Sequence, residues 1–136
     1  MSFQASRTYG ISTELYVLSK PNTDTILLGG VAEDLSRWTR VLSARAAFML
    51  WFHIARLLMP ERIEQVTAVF NTTPLRSDDL PTITNHCAVE IRDEGLVQVI
   101  GWAGEQSWSV HMTNADASQL WTALDKLLFP QGWQSP

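Results

Sequence analysis

Trp38-Thr39-Arg40-Val41-Leu42-Ser43 leads into an apolar stretch ending at Pro60, and seventy positions later Trp108-Ser109-Val110-His111-Met112-Thr113 leads into another ending at Pro130. The copies align without a gap: Ala47 falls with Ala117, Leu50 with Leu120, Trp51 with Trp121, Ile54 with Leu124, Arg56 with Lys126 and Leu57 with Leu127. Leu58 with Leu128 and Met59 with Phe129 complete the match. A period longer than a solenoid unit, present only twice, points to a fold made of two related halves.

Each quoted stretch reads as a strand running into a helix. Trp108, Val110 and Met112 alternate with Ser107, Ser109 and His111, the period of a strand with one face in the core. Thr113 and Ser43 are hydroxyl N-caps, and Asp116 stands at capping-box spacing after Thr113 where Ala46 follows Ser43. Upstream, Asn85–Arg92 and Leu96–Trp102 form a hairpin pattern about Asp93-Glu94-Gly95, matched in the first half by Thr13–Ser19 and Thr25–Gly29 about Lys20–Asp24. One further strand precedes each set, at Phe3–Tyr9 and Gln65–Asn71, and Thr72–Thr84 reads as a loop. The expected fold class is α+β. It comprises two tandem β-meander-plus-helix repeats, (ββββα)2, with pseudo-twofold symmetry, antiparallel sheets and two long helices. The expected organisation is one domain, 1–136, of two repeats covering about 1–60 and 61–130.

Composition bounds the chemistry. Charged residues at 18 % and apolar residues at 46 % describe a chain that folds around a core. The single Cys87 excludes an intramolecular disulfide, and the start Met1-Ser2-Phe3-Gln4 is not a signal peptide. Ala46–Ala55 is too short to cross a bilayer, so a cytoplasmic location is expected and no membrane partner. The net charge of −4 disfavours a general nucleic-acid binder. The halves differ, however: residues 1–66 carry seven basic and six acidic side chains, and residues 67–136 carry three and eight.

The two helices also differ. Ala117, Leu120, Trp121, Leu124, Leu127 and Leu128 form one apolar face on the second, with Ser118, Thr122 and Asp125 opposite. The first keeps those core positions and adds Phe48, Phe52, Ala55 and Met59, leaving a narrow strip with Arg45, Met49, His53 and Arg56. A helix apolar on two sides needs cover on two sides, from this chain or from a partner. Arg40 is a second anomaly, because it takes the core-facing position of Val110. It requires an edge strand or a carboxylate such as Glu14.

The element order, with Trp-x-x-x-[Leu/Met]-[Ser/Thr] junctions at Trp38–Ser43 and Trp108–Thr113, resembles the Whirly family of single-stranded-DNA-binding regulators and the related positive-coactivator domain. The resemblance implies a fold of this order and nucleic-acid contacts from Arg37, Arg40 and Trp102. The Lys-Gly-Lys-Ala-type strand motif of Whirly proteins is absent, and the chain's lysines are Lys20 and Lys126.

No motif for a phosphate loop, metalloprotease helix or nucleophile elbow occurs. His86 and Cys87 are adjacent on a strand and point to opposite faces, so they do not form a nucleophile pair. Asp78 and Asp79 form a loop pair without further ligands. The expectation is a non-enzymatic protein-binding or assembly module with no cofactor or metal. Its candidate interface is Phe48, Phe52, Ala55, Met59, Arg45 and Arg56, its partner another protein or a second copy. A single-stranded nucleic-acid binder is the alternative.

Overall fold

A computed structural model describes residues 5–19, 24–63, 83–92 and 95–129. Two four-stranded sheets and two long helices make an α+β fold. The first half supplies β1 (Arg7–Ile11), β2 (Thr13–Ser19), β3 (Thr25–Val31), β4 (Arg37–Ser43) and α1 (Ala44–Leu58). A short α2 (Pro60–Ile63) follows. The second half supplies β5 (Ile83–Thr84), β6 (His86–Arg92), β7 (Leu96–Ala103), β8 (Gln106–Thr113) and α3 (Asn114–Leu128). The expected strand Gln65–Asn71, most of the loop Thr72–Thr84 and the acid pair Asp78/Asp79 lie outside the described residues. Ile83 and Thr84, placed in that loop by their sequence, instead form the short strand β5.

The sheets are not two antiparallel four-stranded meanders. β2-β3-β4 and β6-β7-β8 are antiparallel, but each sheet takes its fourth strand from the other half. β1 pairs in parallel with β8, in a sheet ordered β1-β8-β7-β6 (the β8 sheet). β5 pairs in parallel with β4, in a sheet ordered β2-β3-β4-β5 (the β3 sheet). The chain crosses between sheets at single residues. Ser12 N–H donates to the His111 carbonyl at 2.8 Å between β1 and β2, and Asn85 N–H donates to the Trp102 carbonyl at 3.0 Å between β5 and β6. Gly10, at φ 68, lies inside β1 where the register against β8 shifts between Thr8 and Ile11.

Matched chemistry holds both crossings. Trp38 Nε1 donates to Ser12 Oγ at 3.1 Å, and Trp108 Nε1 donates to Thr84 Oγ1 at 2.9 Å. A buried indole N–H needs an acceptor, and each half provides a hydroxyl at the bend. Each indole also covers a cross-strand glycine, Trp38 opposite Gly30 and Trp108 opposite Gly101. A Cβ on Gly101 would fall inside the Trp108 ring, so glycine is required there.

The helices begin and end alike. Ser43 Oγ accepts from Ala46 N–H and Thr113 Oγ1 from Asp116 N–H, each at 3.1 Å. At the other ends Met59 N–H reaches the Ala55 carbonyl and Phe129 N–H the Asp125 carbonyl. Each helix then packs across the molecule, α1 on β6 and α3 on β2, and the two helices pack on each other. Trp51, Leu50, Ile54, Leu120 and Leu124 fill this seam and are buried. Trp51 and Trp121 stack at 5.9 Å, and Trp121 Nε1 donates to the Trp51 carbonyl at 3.0 Å.

Candidate binding surfaces

The apolar stripe of α1 is covered in large part by the chain itself. Ala55 is fully buried and so offers no surface to a partner. Phe48 is half-buried, with its ring 5.4 Å from Trp51 and 6.1 Å from Phe129. Phe129, the residue after α3, also lies 5.1 Å from Trp51. The second half therefore caps the stripe. Phe52 and Met59 are half-buried and packed against the core, and Phe52 stands edge-on to His53 at 5.7 Å. Met49, assigned to the polar strip by helical spacing, is buried instead. Arg45 is half-buried and Arg56 exposed.

The three residues implied as nucleic-acid contacts do not share a surface. Arg37 is exposed and, by strand alternation, projects outward from the β3 sheet with Thr39 and Val41. Arg40 projects to the opposite, inner face with Trp38 and Leu42. Trp102 belongs to the β8 sheet and packs edge-on against His86 at 5.2 Å.

Arg40 has neither of the partners its sequence position required. It sits in an inner strand of its sheet, and its Nε donates to the Tyr9 hydroxyl at 2.8 Å. Its guanidinium lies 5.6 Å from the Tyr9 ring centre and 5.9 Å from that of Trp108. Tyr9 stacks on Trp38 at 4.5 Å, and the Arg7 guanidinium lies 5.2 Å from the same Tyr9 ring. Aromatic faces and a phenol oxygen thus take the place of the carboxylate. Nothing in the sequence pairs Tyr9 with Arg40, because β1 reaches this place only through the strand exchange.

Burial, and then the charges of Arg56 and His86, hold His53 below the ordinary imidazole range. Burial and Arg45 lower His86, while burial and Arg92 lower His111 against the opposing influence of Glu33. Cys87 is buried on the opposite side of β6 from His86, and desolvation pushes its thiol up to about 12. Among the described residues no three His, Cys, Asp or Glu side chains are grouped to hold a metal, and no helix is long and apolar enough to cross a membrane.

The outer faces of the two sheets differ in character, which the helix patterns do not reveal. On the β8 sheet, Glu90, Gln98 and His111 form one cross-strand row. Arg92 Nε donates to Gln98 Oε1 at 2.6 Å and pairs with Glu90 at 3.3 Å. On the β3 sheet, the register places Leu18 beside Leu27, Leu27 beside Val41 and Val41 beside Ile83. This apolar row spans four strands, with Leu18 54 % exposed and the other three half-buried. In the next row the Tyr16 ring lies over Gly29, opposite Thr39.

The sequence matches no family model and no curated protein.

Proposed function

We propose that this chain is a non-enzymatic assembly module that associates with a second copy of itself through the outer face of the β3 sheet. The row Leu18–Leu27–Val41–Ile83 carries this reading. In-register apolar side chains across a whole sheet are the material of sheet-on-sheet packing, which needs a second flat apolar face at about 10 Å. This chain possesses such a face. A twofold axis through it sets Leu18 of one copy toward Ile83 of the other, and residues of such similar size make the row self-complementary. Charge supports the same occupant. The chain carries net −4, yet the rows of Leu18 and Tyr16 hold no charged residue, so two copies meet there without like-charge contact. The half-exposed Phe52 and Met59, with Arg56, form a secondary surface on α1.

In this reading the two halves are pseudo-twofold repeats whose first strands have been exchanged. The paired hydroxyl–indole bonds at Ser12/Trp38 and Thr84/Trp108 support it. The resemblance to Whirly and positive-coactivator proteins offers single-stranded nucleic-acid binding as a second reading. The assembly reading is preferred because Arg37, Arg40 and Trp102 project from different surfaces and give no continuous cationic track.

The test is sedimentation velocity of the wild type and of Leu18→Lys. Leu18 is exposed, so the exchange leaves the fold intact. The wild type is expected to show a concentration-dependent dimer that the variant loses. A wild type that stays monomeric at hundreds of micromolar, or a variant that dimerises equally well, would defeat the proposal.

A further inference from the structure

A cavity of about 380 Å3 opens beside the aromatic cluster, lined chiefly by Ser6, Arg7, Arg40, Gln106, Ser107 and Trp108. Two cations converge here. Arg7 on β1 and Arg40 on β4 both stand within 5.6 Å of the Tyr9 ring centre, although they belong to different sheets. Neither guanidinium makes an ion pair among the described residues, and no carboxylate lines the cavity. Asp34 lies near enough to Arg7 to feel its charge, but it does not line this cavity, so an anion bound here would face the two guanidinium groups with no competing carboxylate on the wall.

The remaining donors add to this. Arg40 uses Nε on Tyr9, which leaves the N–H groups of its two terminal nitrogens. Ser6 N–H donates to Ser107 Oγ at 3.1 Å, and Ser107 N–H returns the bond to Ser6 Oγ at 3.2 Å. Each of these hydroxyls therefore accepts from a backbone amide and keeps its own proton to donate. The Gln106 amide contributes at the rim. The wall thus offers two guanidinium groups, two hydroxyls and an amide, more donors than the two oxygens of a carboxylate accept. The three oxygens of a phosphate monoester match them.

We propose that this cavity binds the phosphate group of a small phosphate monoester, with Arg7 and Arg40 as its clamp. The experiment is calorimetric titration of the full chain with inorganic phosphate and with phenyl phosphate, using acetate at equal ionic strength as the control. Tyr9 and Trp108 amide shifts are followed by NMR. Saturable binding of both phosphates, with acetate silent, is expected. Arg7→Gln, at an exposed position, should weaken it by about tenfold or more, the loss of one charge-assisted bond. Arg40→Lys keeps the charge but loses the fork, and it should weaken binding while retaining the native spectrum. Absence of saturation at tens of millimolar phosphate would overturn the proposal, as would equal affinity in Arg7→Gln. Binding of a single-stranded oligonucleotide with the same Arg7 dependence, but not of either phosphate, would overturn it in favour of a nucleic-acid site.

Discussion

The indole N–H of Trp51 donates to the carboxylate of Asp125 at 2.9 Å, tying the middle of α1 to the last turn of α3. In the repeat, Asp125 corresponds to Ala55, so the first half cannot return this bond, and Trp121 turns instead to the Trp51 carbonyl. A difference between the copies thus becomes the polar contact that joins the helices. Trp51 is fully buried, so removing this acceptor takes a charge-assisted hydrogen bond out of the core. Asp125→Ala is expected to lower unfolding free energy by about 1.5–3 kcal/mol. Asp125→Asn, which keeps an acceptor oxygen, should lose less. Urea denaturation of both variants checks this.

Gly101 lies under the Trp108 indole, on the strand beside it. Gly101→Ala forces the ring off the strand and with it the bond from Trp108 to Thr84. A loss on the order of 1–3 kcal/mol follows from overpacking, read as a lower urea midpoint with a changed tryptophan near-UV signal. Gly95 has φ 74, and although a Cβ there would meet no atom within 4 Å the backbone itself disfavours a side chain, so Gly95→Ala should cost about 1 kcal/mol and Gly95→Asn less.

Leu35 occupies the turn between β3 and β4 with φ 72 and is 82 % exposed. A branched side chain in the left-handed region is strained, and this one recovers little by packing. Leu35→Gly is expected to stabilise the fold by about 1 kcal/mol, measured as a higher melting temperature.

Three histidines are held below their ordinary pKa in the folded state, each chiefly by burial. The unfolded chain therefore takes up protons at a higher pH than the folded one. The histidine contribution to stability is fully present above about pH 6.5 and is lost as the pH falls below it, toward the lowered folded values. The urea midpoint should fall between pH 7.5 and pH 5, and His53→Gln should flatten that slope. A midpoint that rises on acidification across this window would contradict the assignment.

Much of the fold is legible in the sequence because it is local. The strand-to-helix junctions at Trp38–Ser43 and Trp108–Thr113, both hydroxyl caps and the β2 boundaries follow from alternation and capping chemistry. The exchange of β1 and β5 does not, because a strand alternates in the same way whichever sheet receives it. The expected antiparallel meanders fail at that point. So does the expected carboxylate partner of Arg40, since only the exchange brings Tyr9 to it. The apolar stripe of α1 is visible in the sequence, but its cover, Phe129, lies seventy positions from the matching Met59 and becomes a neighbour only through packing of α1 on α3. The Leu18–Leu27–Val41–Ile83 row depends on register across four strands and is not readable from any one of them.

Self-association through the β3 sheet is tested most directly at Thr39, an exposed residue on the outer face of β4. Thr39→Cys can be cross-linked with a bis-maleimide long enough to span the ~10 Å between stacked sheets. The native Cys87 does not interfere, being buried with its thiol pushed up to about 12. Thr39→Cys should form a covalent dimer rapidly, whereas Glu105→Cys, in the exposed turn between β7 and β8, should remain monomeric. Equal cross-linking at both positions, or none at Thr39→Cys, would contradict the account.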